Sequence, residues 1–403
     1  MSDVTRVKAQ VQEWEAALQA FYGRMRPHFA RPESWALGGR YLFALLLPVE
    51  RCNTWQLAEA VGDATPHAFQ QFLKAAVWDA DGLRDETARY IYEHFGEPGG
   101  VLVLDESGIP KRGRESAGVG RQYIGCTGQV ENAQVAVFAA YVSQNGAALV
   151  DRALYLPEDW IADPARCLKA HVPAGTGFAT KPELARRQVE RAHDAGAPFD
   201  WVSGDEVYGR DPALRAFLES RGIAYVLGVA SDFNVWRGDD KQRVSAVLPR
   251  VPDAAWQRLS AGEGTRGERL FDWAALRVQG EPREGWHRWV LFRRTVDGKR
   301  VDYYTVAAPA GTSIEAIVGA AGARWAIEVC FEQAKGEVGM MDYEVRSWHG
   351  WHRHVSLAMA ALAFLTVMRH EAKTAEPPKK RGLEASQQPS TLTAFKHRRG
   401  LSG

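Results

Sequence analysis

The sequence predicts an α/β protein: a mixed β-sheet core, interrupted by a β-rich insertion and preceded by an all-helical segment. Three observations predict it. Apolar residues keep a helical period from Val4 to roughly Ala80. From Val101 the pattern changes to short, β-rich apolar runs that first follow one another directly and then alternate with helices. Between Ser231 and Thr305 the alternation with helices stops, and strand-like runs of antiparallel type replace it.

Taken in order, "NTWQLAEAVGDATPHAFQQFLKAAVWD" holds two short amphipathic helices, with Thr54 placed to cap the first, Gly62 to end it, and Thr65 with Pro66 to open the second. That spacing fits a helix-turn-helix and fits a generic helical hairpin equally well. "VLVL" at Val101, "AQVAVFAAYVS" from Ala133 and "AALVDRALYLP" from Ala147 read as an antiparallel meander. A helix ("KPELARRQVERAHDAG"), a strand ("FDWVSGDE"), a helix ("DPALRAFLESRG") and a strand ("IAYVLGV") follow. A meander extended by two right-handed crossovers is the layout of an RNase H-like sheet. "HRWVLFRRTV" and "RVDYYTVAA" supply strands of the insertion, and a last core helix opens near Thr312 or Ser313, with Gly319 and Gly322 predicting a break into two. The expected divisions are a helical DNA-binding domain over 1–95, core over 96–230, insertion over 231–308, core again over 309–372, and a disordered basic tail over 373–403, rich in Pro, Ser and Gln.

Composition narrows the class without choosing a function. The 403 residues are 46% hydrophobic and 25% charged, ordinary for a folded soluble protein. A net charge of +1 neither favours nor excludes a nucleic-acid partner, because local clustering of Lys and Arg decides phosphate binding. The four cysteines form no CxxC pair, which argues against a zinc knuckle or disulfide framework and for a reducing cytoplasm. The N-terminus lacks the pattern of a signal peptide, and the apolar run from Val355 to Met368 is short for a bilayer, so no membrane partner is expected.

"VLVLDESGIPKRG" carries four apolar residues straight into Asp105 and Glu106, where an unpaired charge beside a core is costly. Asp205 ends the fourth strand of the proposed sheet, next to the first at the sheet centre, so the two aspartates should converge. The last core helix offers Glu328 and Glu332 one turn apart, on one face. Three converged carboxylates stay ionised together only beside a strong positive charge, which implies divalent cations. Oxygen-only ligands favour Mg²⁺ or Mn²⁺, and two such ions clamp the attacking and leaving oxygens of a phosphoryl displacement.

Several stretches resemble the DDE transposases of bacterial insertion sequences, in the subgroup with a β-rich insertion before the Glu. "LDESGIPKRG" with "SAGVGRQYIGCTGQVENAQVAV" resembles the first-Asp region, "VSGDEVYG" the second, and "RWAIEVCFEQAKGEVGMMDYEVRSWHGWHRH" the Glu region, over roughly Arg51 to His370. In the last, Arg324, Glu328 and Lys335 match three positions of the family's Tyr, Arg, Glu, Lys signature, which selects Glu328 over Glu332; Ala321 stands where many relatives carry the Tyr. The resemblance implies a transposase with Asp105, Asp205 and Glu328 as catalytic metal ligands, two Mg²⁺ ions replaceable by Mn²⁺, and Arg324 and Lys335 on substrate phosphates. Its DNA partners would be terminal inverted repeats and target DNA, paired by a homodimer in the bacterial cytoplasm. A nuclease without strand transfer and a non-catalytic DNA-binding repressor are the alternatives.

Further cations are candidates for DNA contact. Lys111, Arg112, Arg114 and Arg121 lie in a Gly-rich loop that would hold a DNA backbone if it overhangs the acids, or form a solvated hairpin if it does not. Trp348, Trp351 and Arg353, interleaved in "WHGWHRH", would grip DNA ends or simply pack a helix. Zinc on His349, His352 and His354 is disfavoured, since the three do not share one face of the expected helix cleanly and no Cys or acid sits at ligand spacing.

Overall fold

The computed structural model describes residues 3–375 apart from 126, 265 and 266, with side chains from residue 11 onward. Nearly all of the expected basic tail therefore lies outside the described residues. The N-terminal helices are α1 (Asp3–Gly23), α2 (Pro32–Leu45), α3 (Thr54–Ala60), α4 (His67–Lys74) and α5 (Ala80–Phe95). Asn53, one residue earlier than expected, caps α3 by accepting from the backbone N–H groups of Trp55 and Gln56. Phe29, Phe72 and Trp78 stack with interplanar angles of 15° or less and hold these helices together.

The strands that follow are β1 (Val101–Pro110), β2 (Gly120–Ile124), β3 (Gln129–Ser143) and β4 (Gly146–Leu154). Helices α6 (Glu158–Ile161), α7 (Pro164–Lys169) and α8 (Lys181–Asp194) lead to β5 (Trp201–Gly204), and α9 (Glu206–Gly209) with α10 (Pro212–Arg221) to β6 (Ala224–Val229). Both β1–β5 and β5–β6 pair in parallel, whereas β1–β3 and β3–β4 are antiparallel, so the sheet is mixed. Val101 to Leu104 and all of β5 are buried, which is why "VLVL" shows no polar alternation: parallel central strands are covered on both faces.

Two features of this region differ from expectation. The short strand β2 was not foreseen; it pairs with the first residues of β3, whose later residues pair with β4. Also, Asp105 does not end β1. The strand continues to Pro110 against β3, and what ends at Leu104 is its pairing with β5.

After a small hairpin of β7 (Asn234–Arg237) and β8 (Asp240–Arg243) and the single turn α11 (Val244–Val247) come β9 (Gln257–Gly264), β10 (Gly267–Val278), β11 (Trp286–Arg294) and β12 (Val301–Pro309). The last four do not form a separate module. β12 pairs antiparallel with β6, and β11, β10 and β9 follow outward, so they continue the core sheet to ten strands. The physical reason is that β6 would otherwise present an open edge of unpaired backbone groups.

Helix α12 (Ile314–Glu337), capped by Ser313, is continuous, correcting the expected break. Gly319 has open space around it, and Gly322 serves a close approach instead: a Cβ there would lie 2.5 Å from the Ala261 carbonyl oxygen of β9. Helix α13 (Trp348–Ala375) is long and apolar enough to cross a bilayer by length and composition, although its apolar run looked short, and most of that window is buried within the protein. It packs on α5, α2, α4 and β4. Arg152 of β4, 2% exposed, fastens this layer by donating to Asp81 (2.6 Å), the Ala80 carbonyl (3.1 Å) and Ser356 (2.9 Å).

Candidate active site

Asp105 and Asp205 come from neighbouring strands. Leu104 is registered against Gly204 in the parallel β1–β5 pair, so the next residue of each strand leaves the pair side by side, about 4.8 Å apart by strand spacing. Asp205 also caps α9, its Oδ1 accepting from the Val207 N–H at 2.9 Å. The Asp105 Oδ1 accepts from the Glu106 N–H at 2.8 Å. Each carboxylate thus has one oxygen held by backbone.

Above them lies α12. Arg324 reaches the Asp105 Oδ2 at 3.5 Å and the Glu328 Oε1 at 3.1 Å, so one guanidinium joins two of the three predicted acids. Glu328 and Glu332 are both exposed. Burial, opposed by Arg324 and reinforced by the charge of Asp205, pushes the Asp105 carboxyl up to about 7. Asp205 is raised as well, by burial and then by the charge of Glu106. Glu106 itself is held by the Lys181 ammonium (2.6 Å) and the buried Tyr208 hydroxyl (3.2 Å). That brace was not legible in sequence, because Lys181 and Tyr208 sit on two different helices.

Among the described residues, no three His, Cys, Asp or Glu side chains stand together as a metal-holding group. The geometry pairs Asp105 with Asp205 and brings in Glu328 through Arg324. The two aspartates nevertheless fit a hard divalent cation: they are all-oxygen donors whose raised pKa values report buried negative charge that lacks full compensation.

The other predicted residues divide. Arg112, Arg114 and Arg121 are exposed in and beside the β1–β2 loop, while Lys111 turns inward, its ammonium 3.9 Å from the Tyr343 ring centroid and its pKa lowered to about 8 by burial. Ala117 of this loop donates to the Arg346 carbonyl, tying it to the segment before α13. Lys335 is half-buried near Phe331. The Trp348 ring lies tilted against that of His352, with centroids 4.3 Å apart. Arg353 is buried and donates to the Leu73 carbonyl at 2.9 Å, which corrects its reading as a DNA contact: it anchors α13 to α4. His354 is fully buried and bonded to the Tyr41 hydroxyl.

A cavity of about 300 Å³ opens beside Asp205, with Arg324 in its wall. A larger one of about 840 Å³, lined in part by Gln70, Lys74, Lys169 and Arg346, lies between the N-terminal helices and the segment preceding α13.

Residues 24–252, more than half the chain and including both aspartates, match the family of DDE superfamily endonucleases. The chain belongs to that family. The stretch matching this DDE family ends before β9 and α12, so it does not extend to Glu328. The chain is also 25% identical over 209 residues to a protein of Microchaete diplosiphon named "Probable transposase for insertion sequence element IS701". That alignment takes in 51% of this chain and 49% of the relative, so the chain spans about half the length of the protein it matches. Among solved structures it is similar to piggyBac transposase in a synaptic complex with hairpin DNA, at TM-score 0.42 and 13% identity, covering 87% of this chain and 68% of that one.

Proposed function

We propose that this endonuclease-family chain is the DNA transposase of an insertion sequence: it cuts a strand at the element end and joins the exposed 3′-OH to target DNA. The observation that supports this reading best is the adjacency of Asp105 and Asp205 at the end of the β1–β5 pairing, under the Arg324–Glu328 pair of α12. Asp105 and Asp205, joined by Glu328, would hold Mg²⁺, with Mn²⁺ able to substitute. When bound, the metal neutralises these carboxylates and supplies Lewis-acid activation of a phosphodiester.

The remaining work falls to the chain. Asp105 and Asp205 are aimed by the backbone N–H groups that each accepts from, and Glu106, braced by Lys181 and Tyr208, keeps the start of α9 in place against β1. Arg324 and Lys335 hold substrate phosphates. Arg112, Arg114 and Arg121 would contact the DNA backbone and Trp348 the DNA end. The core over 96–230 and 309–372 is read as RNase H-like, with 231–308 as its insertion. Over 1–95, α3 and α4 act as a helix-turn-helix whose second helix turns His67, Gln70, Gln71 and Lys74 outward, side chains able to reach base edges of the inverted repeats. Two ends are paired by a homodimer acting on the nucleoid.

The test supplies precut element ends and a target plasmid with Mg²⁺. Wild type is expected to join them, and Asp105→Asn to lose at least a hundredfold in rate while keeping its circular dichroism spectrum. Nicking without joining would leave an endonuclease, and binding without nicking a repressor.

A further inference from the structure

Strand direction brings part of the insertion to the acids. β5 and β6 run in parallel toward Asp205; β12 is antiparallel to β6 and β11 to β12, so the start of β12 and the end of β11 lie at that same end of the sheet. There Arg293 faces Asp302 across the β11–β12 ladder. Arg293 grips the Asp302 Oδ2 through two nitrogens at 2.9 and 2.7 Å, while Arg300, from the connecting turn, binds Oδ1 at 2.9 Å. One carboxylate thus spaces two guanidinium groups and leaves a surplus positive charge. All three residues line the 300 Å³ cavity that Asp205 and Arg324 also line. Their burial differs: Arg293 is 21% exposed and packed over Phe271, whereas the Arg300 side chain is 73% exposed. A surface ion pair alone has little reason to point both cations into a cavity shared with catalytic-type acids.

We infer that the Arg293–Asp302–Arg300 bracket is a phosphate-binding site for the DNA strand leaving the acids, with Arg300 as its exposed contact. This rests on the proposed function and adds a site on the insertion. Two inter-strand steps, roughly 10 Å, separate β5 from β12, which sets the contacted phosphate on the order of one to two nucleotides from the one at Asp205.

The experiment measures binding of the full chain to a short generic DNA duplex as a function of salt, without metal. Arg300→Gln is compared with Arg277→Gln, which removes an equal charge from an exposed arginine on β10 farther along the sheet. Arg300→Gln is expected to reduce the salt slope by about one and to weaken binding roughly tenfold at about 0.1 M salt, with Arg277→Gln near wild type. Equal slopes for Arg300→Gln and wild type, or equal losses from both variants, overturn the bracket alone. Absence of salt-dependent binding by wild type overturns the DNA reading and the bracket with it.

Discussion

His354 illustrates what a single residue's surroundings do. Sequence placed it in a histidine cluster; the structure buries it fully, with Nδ1 against the Tyr41 hydroxyl. Burial, with Lys111 adding to it, lowers its pKa from 6.5 to about 4. The unfolded chain therefore takes up a proton below pH 6.5 that the folded chain refuses. Stability is fully present above that pH and falls away as pH drops toward 4, by on the order of 3 kcal/mol from this group. Urea midpoints at pH 7 and pH 4.5 should converge more in His354→Gln than in wild type; equal acid losses in the two would refute the assignment. Asp105 and Asp205 were legible because each interrupts an apolar run at a strand's pairing limit. Arg353 was misread because a cation's burial depends on a partner such as Leu73, far away in the chain.

Among the elements, α12 carries the clearest constraint. It crosses β9 at Gly322, and Arg269 fixes the crossing by donating to the Gly322 carbonyl at 3.0 Å and lying over the Trp325 ring. Gly322→Ala would press a methyl group on backbone that cannot swing aside, at a cost of about 1–3 kcal/mol. The expected outcome is a lower melting temperature together with reduced DNA cleavage, since Arg324 and Glu328 lie only two and six residues further along the same helix. Gly319→Ala, facing open space, should stabilise slightly. A glycine in a helical pattern reads as a break when the opposing strand is unknown, and the sequence offers no sign that Ala261 will sit against this one.

Across the whole molecule, the helical N-terminus and the sheet share a buried polar joint at Arg152. Removing that side chain leaves Asp81 its bond to Arg84 and Ser356 its bond to the Ala80 carbonyl, so the loss is that of Arg152's own buried hydrogen bonds and should cost about 1–3 kcal/mol. Because α13 packs against both layers, Arg152→Ala is expected to lower one cooperative transition; two separated transitions in calorimetry would show that the helices unfold on their own. Apart from β2, the order of the core strands from β1 to β6 was readable from periodicity, as were the helical connections that join β4 to β5 and β5 to β6. The union of β6 with β12 was not, since pairing partners across a long insertion leave no local pattern.

That union has a mechanical corollary. Asp105, Arg293 and Asp302 stand on strands of one hydrogen-bonded sheet, and Asp205 and Arg300 directly flank such strands, so the two aspartates and the bracket cannot close on DNA like a jaw. A strand reaching both must bend to suit a rigid ruler, and flexible or nicked duplexes should be engaged more readily than stiff ones.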